Sequence, residues 1–570
     1  MKKLIFLSLI FGSLLFSLPV VSNTPFLKKQ GSATQLIVDG KPFLVLGGEL
    51  GNSSAASVND IEQIFPKLQQ MGLNTVLVPA SWDLIEPEEG NFDFSLIDKV
   101  IKQARKNELK VVFLWFGAWK NSMSCYAPLW FKKDYKKYPR AYTQAGKPLE
   151  IASSFSENVL KADKNAFSRL MEYIAAIDKE DHTVIMMQIE NEIGMLEDAR
   201  DYSREANALF NTQVPEVLVK YLEKNKKSLH PWLAEKWGKQ NFRIKGNWQE
   251  VFGNDIYTDE IFMAWSYAQY VEKLAQAAHD IYHLPLFINA AMNSRGRKPG
   301  EYPSAGPLAH LIDIWHCGSP GIDFLAPDIY DKGFPNWLVQ YKLPNNPLFI
   351  PEVRLDNNNG VQAFYVFGEH DAIGYSPFSI ENGNDNPDAP LVQSYAKLKE
   401  LMPLLTKYQG KGFSNGLLFN DENKERILQY DDLQITCRHF FTLPWDPRAT
   451  NGGKWPEGGG IILRLAKDEY IVAGNGIVVE FNKTDETKVI DSKKLGEDGF
   501  AASGGNTSEA MKWSGTTRAG IGTVDEISIS EDGSFNYIRR LNGDQTHQGR
   551  HVRIGVDDFS ILHVKLYEYK

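Results

Sequence analysis

The chain has 570 residues, 43% hydrophobic and 12% aromatic, enough to bury a large core and longer than one ordinary domain, so two domains are expected. Its 62 Lys and Arg against 71 Asp and Glu give a net charge of −9, and an acidic surface of this kind repels phosphate backbones, which excludes nucleic acid as the expected partner. Cys125, Cys317 and Cys437 are widely spaced and form no CxxC pattern, and the eleven histidines lack HExxH spacing, so no metal site and no disulfide framework is expected, although one bridge stays open in an oxidising compartment.

The N-terminus carries Lys2 and Lys3, an apolar run over 4–18, and Val20 and Ser22 at the small-residue positions that precede a cleavage point. It reads as a signal peptide over 1–22, with a mature start near Asn23 and export to the periplasm or exterior. The run is shorter than the roughly 20 residues a membrane span needs, and no later stretch is long and apolar enough to span.

From about residue 42 to 405, short β-rich apolar runs alternate with amphipathic stretches of helical length. Eight strands are predicted, at 43–48, 75–79, 111–115, 184–189, 286–289, 324–327, 348–351 and 372–376. Between the first strands lie helices at 61–71 and 96–106. The first is marked by Ile61, Ile64, Phe65, Leu68 and Met71 and closed by Gly72; the second by Ile97, Val100, Ile101 and Ala104. The interval 195–285 is too long for one βα unit and reads as a helical insertion after strand four. The expected fold class is α/β, a (β/α)8 TIM barrel over 23–406. Residues 407–416, rich in Gly and Lys, mark a boundary, and 407–570 reads as a smaller all-β sandwich or barrel. Its strands are placed at 461–465, 470–472, 477–481, 526–529, 535–539 and 560–567, with turn dipeptides of the hairpin kind at Asn475-Gly476, Asp532-Gly533 and Asn542-Gly543.

Hydrolysis of a glycoside needs two carboxyl groups flanking the anomeric carbon, and in a (β/α)8 barrel such groups sit at the carboxyl ends of strands. Two places meet that demand. Strand four ends in Gln188-Ile189-Glu190-Asn191-Glu192-Ile193-Gly194, and strand seven ends at Glu352. Glu190, two residues before Glu192, is the rival within its segment, with a charge partner beneath the site as its other role. Arg354 and Tyr330 are the donors expected to hold Glu352 ionised. At the other strand ends, Trp82 and Trp119 offer platforms for a sugar face or packing under the rim, and Glu49, Asn289 and Tyr330 stand where hydroxyl-binding groups belong. His316 and Glu381 are weaker candidates, and Glu86 with Pro87 reads as a turn that fixes a loop.

Gly412-Phe413-Ser414-Asn415-Gly416 matches GxSxG, but a serine nucleophile needs a strand before it and a helix after it, and here a helix and glycine linker precede a strand-like run. No phosphate-binding or dinucleotide glycine motif follows a strand, so no cofactor is expected.

The segment 188–194, QIENEIG, resembles the QIENEYG signature of glycoside hydrolase family 35. The segment 79–94, with Trp82, Glu86-Pro87, Gly90, Phe92 and Phe94, is similar to the strand-two motif of families 35 and 42. The resemblance covers roughly 45–379, and most members of both families are β-galactosidases. It implies Glu192 as acid/base, Asn191 as the donor to the sugar 2-hydroxyl, Glu352 as nucleophile, and a β-galactoside as the carbohydrate substrate. Ile193 departs from the family tyrosine and leaves the surrounding pocket open. Two further readings stay open: another retaining β-glycosidase acting on glucosides, arabinopyranosides or fucosides, and an inactive carbohydrate-binding barrel.

Overall fold

Eight parallel strands make one sheet in the computed structural model, which describes residues 24–293, 295–443, 446–485, 488–490, 511–513 and 517–570. They are β1 (Val45–Leu46), β2 (Thr75–Ser81), β3 (Lys110–Lys120), β4 (Val184–Asn191), β5 (Leu286–Ala291), β6 (Phe324–Ile329), β7 (Phe349–Val353) and β8 (Gly374–Pro377). The signal peptide expected over 1–22 and the mature start near Asn23 lie outside the described residues. Neighbours pair in the order β1-β8-β7-β6-β5-β4-β3-β2. The ends meet where Leu77 N–H donates to Gly48 O (2.9 Å) and Leu50 N–H to Leu77 O (3.0 Å), with Glu49 bridging to both Leu77 and Phe378. The sheet is therefore closed into a (β/α)8 barrel.

Side-chain alternation along each strand builds two layers. In β3, Val112 and Leu114 join Val45, Leu77, Phe287, Phe324 and Phe349 inside the barrel, while Val111, Phe113 and Trp115 pack outward among the helices. A hairpin and a third strand absent from the sequence reading (Phe26–Gln30, Ala33–Val38, Lys41–Phe43) add Leu36 and Val38 to the inner layer. Helix Val58–Gln70 starts at Ser57, whose side chain accepts from Asp60 N–H, and buries Ile61, Phe65 and Leu68; Gly72, at φ +83°, ends it in the left-handed conformation that suits glycine. Between β4 and β5 run four short helices and then Ile256–Ile281, with Trp237 and Trp248 buried in its packing. Among the described residues no helix is long and apolar enough to cross a membrane. The three cysteines are unpaired.

After the last barrel helix, Pro390–Tyr408, the chain turns into β structure at Ser414–Phe419. Ser414 opens a strand that follows a helix, so no nucleophile elbow forms. A six-stranded and a four-stranded antiparallel sheet face each other as a sandwich. The six-stranded sheet is apolar on both sides: Ile462, Val472 and Leu562 face Ile435, Val479 and Val552 of the other sheet, while Ile461, Leu463, Ile471 and Ile561 continue the barrel's helix layer. The helix it covers, Asn359–His370, directly follows β7, and glycines permit the approach; a Cβ on Gly416 would stand 2.5 Å from Tyr365 O, and one on Gly368 2.7 Å from Ile461.

Of the three turn dipeptides, only Asp532-Gly533 closes a hairpin, between Arg518–Ile529 and Phe535–Arg540. Asn475-Gly476 instead carries the chain from one sheet of the sandwich to the other, and Asn542-Gly543 enters a 3-10 turn. A left-handed glycine marks a reversal in both cases, but the pairing partner lies elsewhere in the chain.

Candidate active site

The mouth of the barrel is built from the carboxyl ends of six strands. At the end of β4, two non-glycine residues adopt left-handed backbone, Glu190 at φ +57° and Glu192 at φ +45°. Such strain persists only where the surroundings over-determine it, and here they do. The strand beside it, β3, shifts register between Trp115 and Lys120. The N–H groups of Ala118 and Trp119 then lack strand partners, and the Glu190 carboxylate accepts both, at 3.3 and 2.7 Å. Glu190 is thus turned into the barrel wall beside Asp163, which accepts from Trp115 Nε1 and from the Tyr270 hydroxyl. Burial, reinforced by the charge of Asp163, pushes the Glu190 carboxyl well above its usual range.

The same shift sets Lys120 opposite Asn191, where its ammonium donates to Asn191 Oδ1 at 2.8 Å. Asn191 Nδ2 donates to Glu352 Oε1 at 3.1 Å. Asn289 Oδ1 accepts the Glu192 backbone N–H at 2.9 Å, and Asn289 Nδ2 donates to Asp328 Oδ2 at 2.7 Å and, at 3.4 Å, to Glu352 Oε1. The Tyr330 hydroxyl donates to Glu352 Oε2 at 2.5 Å. Burial and the negative charge of Glu352 keep the Tyr330 phenol protonated and therefore a donor.

Glu192 (7% exposed), Asp328 (1%) and Glu352 (3%) each bring a carboxyl oxygen within 4.8 Å of the other two. That spacing could admit a cation, but protonation relieves the crowding as well. Burial first, then the charge of Glu352, raise Glu192 to about 7, against the opposing pull of Lys120 and Asp328. Burial and the same neighbours raise Asp328 and Glu49 well above the carboxylate range. These shifts favour the protonated forms of Asp328 and Glu49, and Glu192 titrates near neutral pH. Glu49 is fully buried, and neither its oxygens nor Asp328 Oδ1 has a hydrogen-bond partner outside the cluster of carboxyl groups, within which Glu49 meets Glu352 and Asp328 meets Glu192. Buried polar atoms left unpaired are costly, and of these two residues Asp328 lines a cleft that a hydroxylated ligand can enter.

The fold thus brings together Glu49, Asn191, Glu192, Asn289, Tyr330 and Glu352. The two tryptophans are a correction. Trp82 is fully buried among Trp115, Trp130 and Phe131, with Nε1 donating to Glu86 at 2.8 Å, and Trp119 lies fully buried edge-on to Tyr267 and Tyr270. Neither has a face for a sugar. Trp82→Ala is expected to cost about 3–5 kcal/mol of stability by denaturant unfolding, with KM unchanged for the folded fraction. Arg354 also departs from expectation: its guanidinium donates to the backbone oxygen of Tyr330 and does not touch Glu352. His316 is tied to Asn345 and Asn346, and Glu381 accepts from Gly51 N–H and Ser54 Oγ, bracing the loop after Glu49. Glu86 holds the Trp82 indole and Gly90 N–H.

Sequence reasoning missed Lys120, Asn121, Asp328 and Trp337. Asn121 Nδ2 donates to Glu192 Oε2, and Trp337 lines a cleft beside Glu192. Asp328 carried a signal, an acid one residue beyond a predicted strand.

Residues 53–263 match the family model of glycoside hydrolase family 42, described as Beta-galactosidase, the second of the two families the motifs resemble; residues 391–553 match a domain of unknown function, DUF5597. A Beta-galactosidase of Xanthomonas manihotis is 25% identical over 213 residues, which are 35% of this chain and 32% of that protein. Solved structures similar to the chain include the beta-galactosidase of Bacillus circulans sp. alkalophilus (12% identity, 63% of this chain and 56% of that one, TM-score 0.43) and that of the haloarchaeon Halorubrum lacusprofundi (15%, 62% and 58%, TM-score 0.42). The chain spans about a third of the length of the curated relative and less than three-fifths of these structures.

Proposed function

We propose that the protein is an exported glycoside hydrolase that removes terminal β-galactose from oligosaccharides or polysaccharide side chains by double displacement, with Glu192 as acid/base and Glu352 as nucleophile. The observation that carries the reading is the pair itself: two buried carboxyl groups from opposite sides of one barrel mouth, with oxygens within 4.8 Å of each other. Inverting enzymes need about 6.5–9.5 Å between the groups to seat a water, and retaining ones about 5–5.5 Å. Their environments also differ as the two roles require. Glu352 receives hydrogen bonds from Asn191 and Tyr330, which suit an anionic nucleophile, while Glu192 is raised to about 7, which keeps a proton available. Once Glu352 is esterified its charge is gone, the acidity of Glu192 rises, and the resulting carboxylate can take a proton from water. Galactose as the sugar rests on the matched family model and the motif resemblance, and export on the charged and apolar N-terminus.

A panel of aryl β-glycosides tests the sugar, and proton NMR of the first-formed product tests retention. The reading predicts β-galactose as the initial anomer; initial α-galactose contradicts it, and cleavage of another glycoside alone overturns the galactose assignment. Because the protonated form of Glu192 is the active one, kcat/KM is expected to be lost as pH rises through about 7 and to hold just below it. A profile flat to pH 9 would contradict Glu192 as the acid.

A further inference from the structure

The cleft at the barrel mouth is asymmetric about the two carboxylates. Its lining includes Glu192, Met292, Asp328, Tyr330, Asp331 and Trp337 but not Glu352, Asn191 or Glu49. In the reaction proposed above, the bond between the anomeric carbon and the leaving oxygen breaks as Glu192 gives that oxygen its proton, so the leaving group must lie on the Glu192 side. We infer that this cleft is the leaving-group site and that it takes a sugar, with Trp337 as the stacking platform and Asp328 as the hydroxyl partner.

Two features select a sugar over an apolar alcohol. Trp337 stands on helix Phe334–Tyr341, immediately after β6, and it lines the cleft while only partly buried, unlike the fully buried Trp82 and Trp119. Asp328 is in register with Glu352 on the neighbouring strand, its Oδ2 accepts from Asn289, and its buried Oδ1 has no partner outside the carboxyl cluster. Burial and the surrounding carboxylates favour its protonated form, which can donate as well as accept and so matches a hydroxyl. The cleft's lining mixes an aromatic ring with polar side chains, as small-ligand sites do.

The inference rests on the reading of Glu192 and Glu352, and its test separates the two. Wild type, W337A, W337Y, D328A and D328N are compared on a β-galactosyl disaccharide and on 4-nitrophenyl β-galactoside. For W337A and D328A, the loss of kcat/KM on the disaccharide should exceed the loss on the aryl substrate by about tenfold, expressed for W337A mainly in KM. W337Y and D328N, which restore an aromatic face and a neutral donor and acceptor, should recover most of it. Equal losses on both substrates, or none, would overturn the leaving-group site while the reaction stands. Wild-type protein that cleaves neither substrate would overturn the galactosidase reading and the site with it.

Discussion

Glu352→Gln is expected to lower kcat by about ten-thousand-fold or more, the scale of losing a residue on which the chemistry depends, while sugar binding stays measurable by calorimetry. The amide is nearly isosteric, so contacts with Asn191, Asn289 and Tyr330 can persist. What disappears is the anionic oxygen that attacks the anomeric carbon. The change also removes the negative charge that helps raise Glu192, so residual activity should fall away at lower pH than in the wild type. Turnover within a few-fold of the wild type would exclude Glu352 as nucleophile.

Glu192→Ala has the second largest expected effect, roughly a hundred- to ten-thousand-fold on kcat/KM for sugar leaving groups and less for a good aryl leaving group, which departs without a proton. Azide should restore turnover of the aryl substrate and give the β-glycosyl azide, because the small anion can enter the space of the lost carboxylate and attack the esterified intermediate. The comparison that matters is Glu190→Ala. Glu190 anchors the displaced N–H groups of Ala118 and Trp119 and packs against Asp163, so its loss should appear as a lower melting temperature without azide rescue. Azide rescue of the Glu190 variant instead would exchange the two roles.

The residues at strand ends were legible because a barrel strand has one chemical end. The apolar runs fixed where β4 and β7 stop, and the carboxyl end is where Asn191, Glu192 and Glu352 then had to be. Depth was not legible. Trp82 and Trp119 also follow strand starts by the right interval, but whether an indole at a rim faces sugar or core depends on neighbours such as Phe131 and Tyr270, remote from them in sequence. The irregular part of β3 hid Lys120: Gly117 and Ala118 interrupt the apolar pattern, and the strand continues through a register shift that a period-two reading ends at Trp115. Asp328 was overlooked in favour of Tyr330, two residues on, because its pairing with Glu352 is a fact of register between neighbouring strands. In the sandwich, strands such as Gly458–Ala466 were found from their apolar runs, whereas Leu433–His439, which alternates buried with half-buried residues, and its partner Glu425–Tyr430 contain no apolar run longer than two residues.

The central claim is a covalent intermediate on Glu352, and trapping tests it most directly. A 2-deoxy-2-fluoro-β-galactosyl fluoride should inactivate the enzyme with one label per chain, and peptide mass spectrometry should place the label on Glu352. A label on Glu192, Glu190 or Asp328, or continued turnover of untreated substrate after saturating exposure, would contradict the account.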